Sequence, residues 1–327
     1  MEIYHEQSEF NTVLKFIKKY RYLLFIFAVF FIMLERYVNE GRNLIIIYTV
    51  VIIILGVIYQ SKLVLLLQSG LITLTGYLIS PLSIPFDMFF FILWFAYFMI
   101  GLAISLLISN YTIKYNSSIE LTKTLANLLD SRDPYTATHS ENVANYSRII
   151  AKKMKLTKNL QEAIYVGGLL HDIGKIVIPE QVLNKPDRLT DEEFSIIKQH
   201  PQIGYSTLKH IKPFQQSGIL DMVLYHHERY DGKGYPKGLN GSEIPLVARI
   251  MAVADAFDAM TSKRVYREAR DIEKVITEME EKKGSQFDPE IITIFLEYIN
   301  KNKEIFLNNT QEKSIAQYAV TEQKDTV

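Results

Sequence analysis

The sequence contains no cysteine, which excludes disulfide bonds and thiolate metal sites. It also has no net charge, because 36 lysines and arginines balance 36 aspartates and glutamates. A neutral chain gives no support for binding a nucleic-acid polymer, which favours strongly basic surfaces. Sustained alternation of apolar and polar residues, the pattern of half-buried strands, is absent as well. These absences favour a helical protein of a reducing compartment.

Helix signals are frequent in the second half of the chain. Thr190 and Glu193 form a capping box that predicts a helix running toward His210. Pro245 precedes apolar residues at helical spacing, and Asp288-Pro289 predicts the start of a helix over 290–300. The fold class is therefore predicted to be all-α.

Four apolar runs precede residue 110. They are Tyr22–Leu34, Leu44–Tyr59, Leu63–Ile79 and Met88–Ile108. A bilayer core of ~30 Å requires about 20 helical residues, which the last run supplies. Single short runs are also typical of buried core helices, but four in succession favour a membrane. Residues 1–109 are therefore predicted to be a four-span transmembrane region in a lipid bilayer.

The distribution of lysine and arginine around these runs predicts their orientation. With the N-terminus inside, six nearby basic residues are cytoplasmic and two are outside. The sequence therefore predicts a multi-pass protein of the cytoplasmic (inner) membrane, with the part after the fourth span in the cytoplasm.

Residues 110–130 connect the apolar third to the rest of the chain. Their helical pattern suits a short parallel coiled coil, which would form a homodimer, or the first core helix of the next domain. Residues 131–306 are predicted to be that domain. Residues 307–327 are polar and lack periodicity, and they predict a flexible tail.

Six of the seven histidines follow residue 130, and one of them opens the segment His171-Asp172-Ile173-Gly174-Lys175. An imidazole beside a carboxylate suits a divalent metal, although one such pair is weak support. Gly174 is predicted to end the preceding helix in a left-handed turn. Asp255 lies in an apolar helical pattern, where a buried carboxylate must be paired or bound to a cation.

Five segments together resemble the HD-GYP domain, over about residues 117–305. They are Tyr135-Thr136-x-x-His139-Ser140, residues 171–175, His200-Pro201-x-x-Gly204, the loop 226–236, and Asp255-Ala-Phe-Asp-Ala-Met-Thr-Ser262. The resemblance implies a helical metal phosphohydrolase that hydrolyses the bacterial second messenger cyclic di-GMP.

The resemblance also implies roles for single residues. One ion would be held by His139, His171, Asp172 and Asp255, and a second by His200, His226 and His227, with Asp172 bridging the two. Lys175 would act beside Asp172 at the scissile phosphate, and Tyr235 would stack on a guanine. Arg264 and Arg267 would contact phosphates, although both also suit an ordinary solvated helix end.

Two departures from the family pattern concern Tyr135 and Val265. Some members have a glutamate at the position of Tyr135 and bind a third metal, so two ions are expected here. Val265 replaces a frequent proline, which is expected to affect only a local turn. A ligand set rich in imidazole favours iron or manganese over magnesium.

Three functions therefore stay open at the level of the sequence. The leading one is a membrane-bound phosphodiesterase for cyclic di-GMP. The others are hydrolysis of another nucleotide and a catalytically silent receptor for a cyclic dinucleotide. The complete set of predicted ligands, together with Lys175, favours an enzyme, because a pure receptor need not retain them.

Overall fold

The computed structural model describes residues 19–20, 23, 30, 45–79, 88–132, 138–185, 187–262 and 270–303. They belong to two compact units that divide between Ser118 and Ile119. The first predicted span lies almost entirely outside the described residues, and the predicted tail lies wholly outside them.

The N-terminal unit contains the second, third and fourth apolar runs as helices. They are α1 (Ile45–Ile58), α2 (Lys62–Ile79) and α3 (Met88–Asp130), the last of which continues into the second unit. Of the described helices, α3 alone is long and apolar enough to cross a membrane, while α1 and α2 contain shorter apolar helices. The four-span arrangement stays a prediction.

Helix α3 includes the apolar fourth run and the whole of the connecting segment 110–130. In the second unit, Ala126 of this helix is buried with Ala144, Tyr165 and Leu169. This face of the helix therefore packs against other helices of the second unit, as the core-helix interpretation of residues 110–130 expects, and that interpretation stays a prediction. The coiled-coil alternative stays a prediction for the opposite face.

The second unit is helical throughout its described residues and has no strand there, only two isolated bridges. This confirms the all-α prediction for the part of the chain that the structure describes. Its further α-helices are α4 (His139–Lys153), α5 (Lys158–Leu170), α6 (Glu180–Leu183), α7 (Asp191–Ile197), α8 (His200–Leu208), α9 (Lys212–Gln215), α10 (Ile219–Tyr225), α11 (Leu246–Thr261), α12 (Ile272–Glu281) and α13 (Pro289–Lys301). Two 3₁₀ helices span Ile173–Val177 and Gly241–Glu243.

Helices α4, α5 and α11 form the centre of this unit. Tyr146 of α4 and Phe295 of α13 both pack edge-on against Phe257 of α11, at centroid distances of 5.1 and 5.0 Å. Gly168 of α5 allows close contact with α4, since a Cβ there would lie 2.4 Å from the Cα of Ala144. The close packing of these helices brings their ends together, and most of the predicted metal ligands lie at helix ends.

The predicted helix starts at Thr190, Pro245 and Asp288 are confirmed. The predicted continuous helix toward His210 is wrong, because α7 ends at Ile197 and α8 begins at His200. Pro201 explains the break, since its ring clashes with the carbonyl four residues earlier and it has no N–H to donate.

Candidate metal centre

The seven predicted metal ligands come from five separate places in the fold. His139 begins α4, His200 begins α8, and Asp255 lies within α11. His171 and Asp172 follow α5, and His226 and His227 follow α10. Five of the seven residues are buried, and Asp255 and His227 are partly exposed. Four helix ends and the interior of α11 thus bring polar side chains into one largely buried cluster.

The Asp172 carboxylate lies at the centre of this cluster. Its Oδ2 atom is 3.3 Å from Nε2 of His171 and 3.9 Å from Nε2 of His139. Its Oδ1 atom is 3.2 Å from Nε2 of His200 and 3.9 Å from Nε2 of His226. Each oxygen therefore faces its own pair of imidazoles.

Two groups of potential metal ligands share Asp172. One group contains His139, His171 and Asp172, and the other contains Asp172, His200, His226 and His227, with ligand atoms within 4.8 Å of one another in each. Asp255 adjoins the first group, because its Oδ1 atom is 3.3 Å from Nε2 of His139.

Backbone carbonyls fix the orientation of three of the imidazoles. Nδ1 of His171 donates to the Gly168 carbonyl at 2.8 Å. In the same way, Nδ1 of His200 donates to the Ile197 carbonyl at 2.7 Å, and Nδ1 of His226 donates to the Met222 carbonyl at 3.0 Å. In a neutral ring, Nε2 then carries a lone pair that faces the Asp172 carboxylate. Burial, followed by the charges of neighbouring histidines, holds the pKa of His226 well below its usual value, so this ring is neutral.

The centre contains two buried polar atoms without a hydrogen-bond partner among the described residues, Nε2 of His171 and Oδ1 of Asp172. Lone pairs that converge on a carboxylate repel one another unless a cation lies between them, and buried orphan atoms are costly. The residues present therefore fit divalent metal ions in position and in chemistry.

Lys175 supplies positive charge at the edge of the cluster. Its Nζ atom lies 2.5 Å from Oδ2 of Asp172. Burial alone would raise the pKa of Asp172, but the charges of Lys175 and His171 hold it well below its usual value. Asp172 is therefore ionised, which suits a shared anionic ligand.

A family model described as HD domain matches residues 123–291, about half of the chain. This chain is an HD domain protein. The finding, together with curated relatives of the same type, confirms the HD-GYP resemblance that the motifs indicated.

Relatives of this HD domain protein include named phosphodiesterases. A cyclic di-GMP phosphodiesterase of Thermotoga maritima is 40% identical over 194 residues, which cover 59% of this chain and 52% of that protein. The cyclic di-GMP phosphodiesterase response regulator RpfG of Xanthomonas campestris is 42% identical over 173 residues, which cover 53% of this chain and 46% of that protein. A 3'3'-cGAMP-specific phosphodiesterase of Vibrio cholerae is 40% identical over 155 residues, which cover 47% of this chain and 36% of that protein. The chain therefore matches about half or less of each of these relatives.

Asp258 supports the HD domain's cluster from outside the predicted ligand set. Its buried carboxylate accepts from Nδ1 of His139 at 2.6 Å and from Nδ2 of Asn142 at 2.9 Å. Burial opposes protonation of His139, but hydrogen bonds to Asp255 and Asp258 raise its pKa to about 10. This role was not predicted from the sequence, although Asp258 is a second carboxylate on the same apolar helix as Asp255.

Asp130, the last residue of the long helix α3, and Arg132, which follows it, hold other parts of the HD domain's centre. Asp130 accepts from the backbone N–H of Ser140 at 3.0 Å and from its hydroxyl at 2.8 Å, which anchors the helix start beside His139. Arg132 donates to the carbonyls of Lys175, Ile176 and Ile178, each at 2.9 Å. Neither contact has a local sequence signal.

Gly174 has a different role from the one predicted. Helix α5 ends at Leu170, and Gly174 lies within a 3₁₀ helix without a positive φ angle. A Cβ at this position would lie 2.0 Å from the carbonyl oxygen of His200 and 2.6 Å from the amide of Gly204. Gly174 is thus needed for the close approach of two backbone segments, and the predicted left-handed turn is wrong.

The remaining predicted residues are partly described. Tyr235 lies beside the cluster, with its ring centroid 4.7 Å from that of His227. Arg264, Arg267, Val265 and Tyr135 lie outside the described residues. His210 is exposed on the surface and does not join the cluster.

Proposed function

We propose that this HD domain protein is a metal-dependent phosphodiesterase that hydrolyses cyclic di-GMP at a centre of two metal ions. The observation that carries the proposal is the Asp172 carboxylate, each oxygen of which faces a separate pair of imidazoles. A carboxylate in this position suits a ligand shared by two ions.

The first ion would be held by His139, His171, Asp172 and Asp255, and the second by Asp172, His200, His226 and His227. When bound, such ions clamp a phosphodiester and lower the pKa of an attacking water. Lys175 would place its ammonium group beside the phosphate, where it offsets negative charge. The buried helix ends around Asp172 would limit the access of bulk water.

Hydrolysis of another cyclic dinucleotide is the second candidate, and the relative named for 3'3'-cGAMP favours it specifically. Both candidates need the same centre and differ only in the bases that are recognised. Recognition would involve Tyr235 against a base and Arg264 and Arg267 against phosphates. A catalytically silent receptor is the third candidate.

The test uses full-length protein in detergent, loaded anaerobically with manganese or ferrous iron. Cyclic di-GMP, 3'3'-cGAMP and cyclic di-AMP are offered separately, and the products are separated by chromatography. The proposal expects cyclic di-GMP to be cleaved fastest. Preferential cleavage of 3'3'-cGAMP would favour the second candidate, and tight binding without cleavage by fully metallated protein would favour the receptor.

The number of bound metals is the first prediction. With Tyr135 in place of a carboxylate, the centre should hold two ions, because a phenol with a pKa of about 10 is a poor ligand near neutral pH. Elemental analysis of anaerobically purified protein should approach two metals per chain. A third tightly bound equivalent that disappears in Tyr135→Phe would contradict this prediction.

We also infer that the N-terminal region is a multi-pass anchor in the cytoplasmic membrane. Only 22% of the apolar window in α3 is buried, which argues against the core helix of a soluble protein. Leu67 of α2 and Phe95 of α3 are each 63% exposed, as expected for lipid-facing side chains. A cytoplasmic catalytic domain would meet its nucleotide substrate.

Membrane topology is the second prediction. With the N-terminus inside, the third span, Leu63–Ile79, crosses from the cytoplasm to the outside. The loop 80–87, which begins with Ser80, is therefore predicted to lie outside. A reporter fused after Ser80 should therefore report the outer side, and one fused after Asn110 should report the cytoplasm. The same side for both fusions would contradict the four-span arrangement.

Self-association through α3 is the third prediction. Leu121, Leu125 and Leu128 lie at helical spacing and are 61%, 44% and 61% exposed. If two copies pair along this stripe, Leu125→Asp should convert a dimer to a monomer in detergent, as measured by light scattering. Asn127→Asp, an equal change of charge off the stripe, should leave the dimer intact. A parent protein that is already monomeric would contradict the pairing.

A further inference from the structure

His227 differs from the other imidazoles of the centre in how it is held. His139, His171, His200 and His226 each use Nδ1 in a hydrogen bond to a carboxylate or a carbonyl. Among the described residues, the His227 ring has no hydrogen-bond partner. Its ring instead contacts three other rings, those of His226 at 4.1 Å and 43°, of Tyr235 at 4.7 Å and 30°, and of His200, edge-on, at 5.0 Å and 87°. Its orientation therefore depends on stacking.

The Tyr235 ring is in turn fixed by a loop that folds back on its own start. The backbone N–H of Tyr235 donates to the carbonyl of His227 at 3.2 Å. Gly234 permits this return, because a Cβ there would lie 2.4 Å from the Arg229 amide and 2.5 Å from the Glu228 Cα. The loop thus holds Tyr235 next to His227, the residue on which its ring stacks.

A buried carboxylate closes the other side of this loop. Glu228 is 3% exposed, and Oε1 accepts from the backbone N–H groups of Lys237 at 2.7 Å and Gly238 at 3.1 Å. Oε2 accepts from the N–H of Leu239 at 3.1 Å. Three charge-assisted hydrogen bonds to consecutive amides bind the segment after Tyr235 to the residue after His227. Glu228 does not face the metal ligands in these contacts.

We propose that Glu228 and Tyr235 are positioning residues that orient the His227 imidazole toward the second metal ion. Glu228 holds the loop in place, and the loop holds the Tyr235 ring. Stacking of that ring on His227 takes the place of the Nδ1 hydrogen bond that orients the other histidine ligands. The inference rests on the proposed two-metal centre. It also gives Tyr235 a role in metal binding, because one face of its ring is already occupied by His227.

The test measures metal affinity directly, by titrating full-length metal-free protein with manganese against a chromophoric chelator. Outer supports of ligating histidines contribute about 10–100-fold to metal affinity. Tyr235→Ala should weaken one of two sites by about that factor and leave the other unchanged. Tyr235→Phe retains the ring and should keep both affinities.

Glu228→Gln tests the loop, because an amide NH₂ group cannot accept from the backbone N–H groups that the carboxylate oxygens serve. It should weaken the same site as Tyr235→Ala. Lys233→Ala, an exposed change in the same loop, is the matched control and should bind like the parent. If Glu228→Gln loses helical circular dichroism, the two Tyr235 variants decide the matter alone.

The outcomes separate this inference from the function on which it rests. If the parent binds two ions and Tyr235→Ala retains both affinities, the positioning role is wrong and the two-metal centre stands. If Tyr235→Phe weakens a site as strongly as Tyr235→Ala, the hydroxyl group and not ring stacking is responsible, and the inference is also wrong. A parent that binds fewer than two ions overturns the proposed centre itself.

Discussion

Replacement of Asp172 by alanine is expected to lower the hydrolysis of cyclic di-GMP by several orders of magnitude. The substitution removes the carboxylate whose two oxygens face His171 and His200 at 3.3 and 3.2 Å. Each ion would lose a ligand, and the centre would lose the negative charge that lies between two cations. At least one metal equivalent should therefore be lost, and with it the support for the transition state.

The measurements are the rate of product formation, the metal content and the helical circular dichroism of the same preparation. Helical content should stay close to that of the parent, because Asp172 follows α5 and is not part of its apolar face. His210→Ala is the control, and its rate should stay within a few-fold of the parent. Full metal content and full hydrolysis in the Asp172 variant would contradict the shared-ligand proposal.

Gly174→Ala is expected to have the largest effect on stability. The new methyl group would lie 2.0 Å from the carbonyl oxygen of His200, and backbone atoms cannot rotate away as a side chain can. Separation of the two segments should cost about 3 kcal/mol of the free energy of unfolding. For a unit of this size, the melting temperature should fall by roughly 6–12 °C.

Gly167→Ala is a matched control for this change. A Cβ at Gly167 would also overlap a neighbour, at 2.1 Å, but that neighbour is the terminal methyl group of Met222, which can adopt another rotamer. Thermal unfolding of both variants in detergent should show the smaller shift for Gly167→Ala. Equal shifts would show that general crowding, and not the approach of the backbone at Gly174, determines the loss.

The sequence by itself determined the class of fold and most members of the candidate centre. Helix starts at Thr190, Pro245 and Asp288 could be predicted, because capping residues act within one turn of the chain. The histidines and aspartates of the centre could be named because five segments in fixed order resemble one family. Local sequence signals gave a wrong prediction where a distant part of the chain determines which residue is needed. Gly174 is the clearest case, because its lack of a side chain accommodates the backbone at His200 and Gly204.

Only the tertiary structure decided how the centre is supported. Asp258 contacts His139 across 119 positions of the chain, and Arg132 contacts the carbonyls of residues 175, 176 and 178 across more than 40. Such pairs leave no periodicity or spacing in the sequence, because folding of the helices alone brings them together. The same reason applies to Asp172. Its sequence context predicts a metal ligand, but its two oxygens face separate pairs of imidazoles only because four helix ends meet in the folded protein.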